Sequence, residues 1–440
     1  MITLLLLAGL VVGGTEPDSI PWTRFVGNVN TPAPWAGWVR GPSQVPRLPY
    51  DSVLRAITEV PNDIAMTVDP TVFLPNHYSL TDTDFRYIEA DSGRAWRAAI
   101  FAGLDSIADA GVDLSRIAWQ VGNEINSPRV DRAVLALQGE ANGHPDLNDD
   151  AIIPLYAEEV LAPAAEALRQ WFASSRSRSS SAQPRIVLGS VANASNQRSL
   201  AWLSRLLGYR LEGLYAPTLR GQTVADLVDV ISIHYLVTAA GSDWSSLLDS
   251  IWGRWCGQGR VAGLWATEEL GRRRAELGRG AATAVRVAAR WLWWIQSHEL
   301  NSDQARWALW GGTLGPTGSQ GRDGMAMLLR ILGNQPLKVV SLQSGDGPGS
   351  VETYLLRGVR RPDRWAVVAF ASRFTDRATM AEVVIPGRMS PAEAVVLDEG
   401  TAKKVSVLAT PTSGSANTVV ALQPALALEP GAVVVIGSRQ

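Results

Sequence analysis

The sequence predicts an α/β chain in which a (β/α)8 barrel of the TIM type, residues 15–333, is followed by an antiparallel β-sandwich, residues 334–440. Two observations predict the two parts. From residue 60 onward, short apolar runs without alternation take turns with helix-like stretches of about 15 residues, as βα units around a buried parallel sheet do. After Gly333 the texture changes to short β-branched runs separated by turn residues, the pattern of antiparallel strands. A third observation permits the combination: 440 residues is enough for one large barrel and an appendage.

Residues 2–14, ITLLLLAGLVVGG, are an apolar run ending in small residues. The run is too short for a membrane span. It reads either as the apolar part of a secretory signal peptide or as a first, fully buried barrel strand. The first reading places the protein outside the cell or in the periplasm, the second in the cytoplasm. Residues 22–26 (WTRFV) are a candidate early strand, and residues 63–69 (DIAMTVD) a further one. Residues 92–111 follow as an amphipathic helix, with Trp96, Ala99, Leu104 and Ile107 near helical spacing. Strand 117–122 comes next, then a polar loop over 126–150 and a helix over 151–172. The segment 174–182 is a Ser/Arg-rich solvated loop. Strand 185–190, a helix near 198–208, strand 228–233, a helix around 243–254 and strand 263–267 continue the alternation. A long helix at 278–297, strand 307–311 and a closing helix at 324–332 complete it. In the C-terminal part, seven runs read as strands, beginning near 337, 351, 365, 381, 394, 418 and 432.

Composition excludes several functions. The net charge of −2 gives no electrostatic footprint for nucleic acid or an anionic membrane. The apolar fraction of 46% and the charged fraction of 19% are those of a globular chain without stable membrane insertion. The single Cys256 rules out an intrachain disulfide, a thiolate metal cluster and a CxxC redox pair. The four His residues, 77, 144, 234 and 298, have no tight ligand spacing, so no catalytic metal is expected.

Chemistry-bearing residues gather at the ends of the apolar runs. Asn123 and Glu124 close the run IAWQVG, His234 and Tyr235 close VISI, Glu268 and Glu269 close GLWAT, and Trp310 ends WAL. Arg24 is a candidate end of an early strand. In a (β/α) barrel the C-terminal ends of the strands face one pocket. Two carboxylates there are the minimal equipment for cleaving a glycosidic bond. Along a strand, alternation sends Glu268 and Glu269 to opposite sides, so one of them faces the pocket. Among the 17 Trp residues, Trp35, Trp38, Trp119 and Trp310 are placed to stack on sugar rings. Trp291, Trp293 and Trp294 lie in a helix and read as packing.

With WQVGNEIN, ISIHY, WATEE and LWGG in this order, the chain resembles the clan A glycoside hydrolases, retaining (β/α)8 enzymes with glutamates on strands 4 and 7. The layout with a C-terminal sandwich is similar to family 39-like members. The resemblance implies that Glu124 of the Asn-Glu pair is the acid/base. It implies that Glu268 of the Thr-Glu pair is the nucleophile. It further implies that Asn123, His234, Tyr235 and Trp310 contact the sugar and that Arg24 supports the nucleophile. It implies a carbohydrate substrate and no metal or organic cofactor. Two other functions fit the same residues: a non-catalytic carbohydrate-binding protein on a degenerate barrel, and a transglycosylase.

Overall fold

A computed structural model describes residues 26–30, 71–74, 93–109, 113–126, 149–174, 183–192, 197–234, 236–239, 243–269, 281–310, 319–343, 348–373, 376–386, 391–397, 402–411 and 417–438. Its first half is a parallel sheet of seven strands: β1 (Val26–Asn30), β2 (Thr71–Leu74), β3 (Ala118–Val121), β4 (Arg185–Leu188), β5 (Val230–His234), β6 (Gly263–Glu268) and β7 (Ala305–Trp310). Their order is β1-β7-β6-β5-β4-β3-β2, and the two end strands, β1 and β2, are also neighbours in space. The sheet therefore curls toward itself.

Of the expected strand 22–26, only Val26 falls among the described residues, and it opens β1. β2 occupies Thr71–Leu74, where no strand was expected. The expected strand 63–69 and the apolar run 2–14 lie outside the described residues.

Helices cross between the strands: α1 (Arg94–Asp109), α2 (Asp149–Leu155), α3 (Ala162–Ala173), α4 (Gln197–Gly208), α5 (Val224–Leu227), α6 (Leu236–Ala239), α7 (Trp244–Ile251), α8 (Ala281–Ser297) and α9 (Ser319–Leu332). None among the described residues is long and apolar enough to cross a membrane. The single helix expected over 151–172 is interrupted by a π-helical turn, Tyr156–Leu161. Proline explains the break: Pro154 lies inside α2 and Pro163 in the first turn of α3. Pro163 has no N–H to return to the preceding turn, so the regular bond pattern cannot run through.

Strands β3 to β6 are buried on both faces, apart from the half-buried Arg185 that opens β4. Trp119, Ile186, Ile231, Leu264 and Trp307 pack with the helices in the main core. Ala118, Val187, Val230 and Trp265 form a small cluster of their own on the alternate positions. A one-residue offset therefore separates helix-facing from interior-facing positions. Trp291 of α8 stacks on Trp307 of β7, ring centroids 6.4 Å apart. Such a pair adds ~1 kcal/mol beyond its buried area.

The second half is an antiparallel sheet of eight strands: β8 (Leu337–Gln343), β9 (Val351–Gly358), β10 (Trp365–Ala371), β11 (Ala378–Pro386), β12 (Pro391–Leu397), β13 (Ala402–Pro411), β14 (Asn417–Leu428) and β15 (Val433–Ser438). Their order is β11-β14-β13-β12-β15-β10-β9-β8. β13 was not among the expected strands. Its first half pairs with β12 and its second half with β14. The sheet folds back there, so that Val383, Ile385, Val420 and Leu422 pack with Val367, Ala369, Val434 and Ile436. β10 is buried at all seven positions because it serves two cores. Val367 and Ala369 face the folded-back strands, while Ala366, Val368 and Phe370 join the main core beneath α8 and α9.

Candidate active site

The C-terminal ends of β3, β5 and β6 bring Glu124, His234 and Glu268 together. His234 ends β5 and is fully buried. Its Nδ1 lies 3.4 Å from Glu124 Oε1 and 3.8 Å from Glu268 Oε2. One oxygen of each glutamate and one imidazole nitrogen all lie within 4.8 Å of one another. Glu268 is nearly buried, while the Glu124 side chain keeps 23% exposure, so the cluster opens on the Glu124 side. The same three groups could offer a metal ion one ligand atom each.

A bulge sets this geometry. In the β5–β6 ladder Ile233 pairs with Ala266, but His234 pairs with Glu268, so Thr267 is the extra residue. A bulge re-aims consecutive side chains. Here Thr267 Oγ1 meets His234 Nε2 at 3.0 Å, and Glu268 reaches the Nδ1 side of the same ring. Glu269 turns the other way. It is completely buried, and its Oε1 accepts from Trp291 Nε1 (3.1 Å) and from Val237 N (3.3 Å). Of the two adjacent glutamates, the structure brings Glu268 to the cluster and commits Glu269 to α8.

Glu124 is set by its backbone. Gly122 and Glu124 both adopt positive φ, 89° and 49°. The left-handed region is costly for a residue with a side chain and persists only where the surroundings impose it. The surroundings lie just after β4. Glu124 N donates to Ser190 Oγ (3.2 Å), Ile125 N to Ser190 O (3.0 Å), and Asn126 brackets the Ala192 peptide from both sides. Tyr156, from the π-helical turn, donates to Val121 O (2.7 Å) and accepts from Gly189 N (3.0 Å), tying the ends of β3 and β4 together. Burial pushes its phenol well above the ordinary range, so it stays protonated and donating. Gly189 has to be glycine: a Cβ there would stand 2.5 Å from Val121 O and 2.8 Å from Ile125 Cγ2.

Beneath the cluster runs a buried polar floor. Gln120 Nε2 donates to Gly122 O (2.9 Å), Asn123 Oδ1 (3.1 Å) and Ser190 Oγ (3.2 Å). Its Oε1 accepts from Ser232 Oγ (3.4 Å), which in turn meets Thr267 Oγ1 at 2.6 Å. Asn123 Oδ1 also accepts from Ser190 Oγ (2.9 Å), so its side chain is fixed beside Glu124. These contacts span three strands and satisfy polar atoms that would otherwise be costly to bury.

Of the expected site residues, Asn123, Glu124, His234 and Glu268 come together. Trp119 does not join them: it is buried among the apolar residues between sheet and helices, on the face opposite to its neighbour Gln120. It is corrected from a sugar platform to a packing residue. The physical reason is alternation, which turns one of two successive residues toward the helices. Trp310 ends β7. Arg24, Tyr235, Trp35 and Trp38 lie outside the described residues. Sequence reasoning missed Gln120, Ser190, Ser232 and Tyr156. Two of them left a signal: Gln120 and Ser232 are the only polar residues inside their apolar runs, and a buried polar residue needs a partner.

No family model and no curated protein matches this chain. Among solved structures it is similar to an arabinofuranosidase, with 12% identity over 95% of this chain and 88% of that one, at a TM-score of 0.42. It is also similar to a curdlan-specific exo-beta-1,3-glucanase from Blastomyces gilchristii, with 14% identity over 70% of this chain and 98% of that one, at a TM-score of 0.32. A third is the catalytic core of xylanase A, with 12% identity over 62% of this chain and 75% of that one, at a TM-score of 0.35.

Proposed function

We propose that this chain is a retaining glycoside hydrolase on a (β/α)8 barrel, acting on a polysaccharide, oligosaccharide or simple glycoside. The observation that carries the reading is the approach of Glu124 and Glu268, one oxygen of each lying within 4.8 Å of the other beside Nδ1 of His234. Retaining enzymes hold their two carboxyl groups roughly 5–5.5 Å apart, whereas inverting ones leave roughly 6.5–9.5 Å for a water.

In this reading Glu268, the more buried of the two, is the nucleophile. Its oxygen attacks the anomeric carbon and forms the glycosyl-enzyme ester, while the bond from that carbon to the leaving oxygen breaks. Glu124, at the open side, gives its proton to the leaving oxygen. It then takes a proton from water, whose oxygen attacks the anomeric carbon and releases Glu268. His234 keeps the two carboxyl groups in register, and Asn123 stands beside Glu124 where it can bond the sugar 2-hydroxyl. Tyr235, Trp310 and Arg24 complete the proposed sugar contacts.

The test is activity on a panel of activated aryl glycosides and soluble polysaccharides, with wild type beside Glu268→Gly. The variant should lose hydrolysis and regain turnover with azide, giving a glycosyl azide of inverted anomeric configuration. Full activity of Glu268→Gly would remove Glu268 from the nucleophile role. Sugar binding by the wild type without any hydrolysis would favour a binding protein.

A further inference from the structure

Val237 lies three residues beyond His234, and its peptide is held from both sides. Its N–H donates to Glu269 Oε1 (3.3 Å), on the residue next to Glu268. Its carbonyl accepts from Arg290 Nη1 (3.0 Å). Arg290, on α8, is fully buried and turns the rest of its guanidinium to the antiparallel sheet. Nε donates to Glu352 Oε2 (3.0 Å), and Nη2 to Glu352 Oε1 (2.5 Å) and Ser372 O (2.8 Å). The plane sits between the rings of Trp244 (5.3 Å) and Phe370 (5.4 Å). Glu352, on β9, is buried too and accepts a further bond from Tyr354 Oη (2.8 Å).

A buried ion pair is a poor way to gain stability, because the desolvation of both charges offsets much of their attraction. Apolar residues of the same volume would hold α8 against the sheet as well. What apolar residues cannot do is bond the Val237 carbonyl. We infer that Arg290 and Glu352 are positioning residues: the antiparallel sheet, through this pair, fixes the segment that follows His234. On the functional reading proposed above, the second sheet is then part of the scaffold of the reaction rather than a passive support. Glu269 acts in the same way from the other side, which gives the glutamate beside the proposed nucleophile its own task.

The experiment replaces the whole buried charge cluster by apolar residues, Arg290→Met and Glu352→Leu together with Arg286→Met, because Glu352 also faces the buried charge of Arg286. Replacing a complete buried ionic group in this way often leaves stability neutral or improved. We expect a melting temperature near that of the wild type. Amide exchange over residues 236–239 should quicken about tenfold or more, because a lost anchor lowers local stability. On the best aryl glycoside kcat should fall about tenfold or more with KM little changed, as misplacement without lost binding requires. Arg290→Lys is the second variant. It keeps the charge opposite Glu352 but lacks the planar fork that reaches Val237, and the same faster exchange is expected. Wild-type exchange over 236–239 in these folded variants would overturn the inference, and so would wild-type kcat. Exchange is read without any substrate. Faster exchange in a protein whose wild type cleaves no glycoside would therefore sink the functional reading and leave the anchor standing.

Discussion

Glu124 and Glu268 meet at one edge of the His234 imidazole, one oxygen 3.4 Å and the other 3.8 Å from Nδ1. Three titratable groups share one small volume there, and His234 is the one that touches both others. Replacing it should therefore damage the reaction more than the fold. His234→Gln keeps a polar side chain at the same place but cannot face Thr267 and both glutamates at once. We expect kcat to fall about 10²-fold, equivalent to ~2.7 kcal/mol of barrier. Steady-state kinetics on the best aryl glycoside, with a melting curve as control, measures it. A variant within about twofold of wild type would show that His234 does not hold the pair.

Gly189 links the fold to the site in one atom. A Cβ at this position would collide with the Val121 carbonyl, and that carbonyl is backbone of the strand that delivers Glu124. Gly189→Ala should cost about 1–3 kcal/mol, the usual range for overpacking. Urea denaturation measures the loss. Activity should fall more than stability, because the turn at positive φ is the part that must give.

How much of this was legible in the sequence depends on how local each feature is. The runs that became β3, β5, β6 and β7 were legible because each is a short, mainly apolar stretch without alternation. Glu124, His234 and Glu268 followed from their place at the ends. The polar floor was not legible: Ser232 meets Gln120 from 112 residues away, and Ser190 meets Gln120 from 70 residues away. No spacing rule reports such contacts. β2 escaped because four residues, Thr71–Leu74, are too few to show a period. β13 escaped because Lys403, Lys404 and Pro411 dilute its pattern. The π-helical turn was hidden because proline shows where a helix fails but not how the chain continues.

Away from the site, Asp226 caps α5 reciprocally with Thr223. Its Oδ2 accepts from Thr223 N (2.6 Å) and Thr223 Oγ1 (2.8 Å), and these bonds hold its carboxyl below the ordinary value of 3.8. A carboxyl depressed in the folded state binds protons more readily when unfolded. Its contribution is therefore present above the unfolded value and disappears as pH falls through the folded one. Asp226→Asn should be less stable than wild type at neutral pH, and the gap should close in acid. Urea midpoints measured from about pH 7 down to about pH 3 check the sign. A gap that widens in acid would contradict it.

Cys256, at the end of the π-helical turn Trp252–Cys256 that follows α7, is buried, and burial pushes its thiol up to about 12. The thiolate is the reactive form, so the native protein should resist iodoacetamide at about pH 8. Alkylation followed by mass spectrometry should be about 100-fold slower in the native state than in urea. Rapid native labelling would mean that the thiol is accessible.

The most direct test of the central claim is covalent trapping. Activated 2-deoxy-2-fluoro glycosides, with the sugar chosen from the hydrolysis panel, slow the release of a glycosyl-enzyme, and peptide mapping then locates the ester. One added sugar per chain is expected, on Glu268, and none in Glu268→Gln. An ester on Glu269, or turnover of the panel substrate that Glu268→Gln leaves intact, would contradict it.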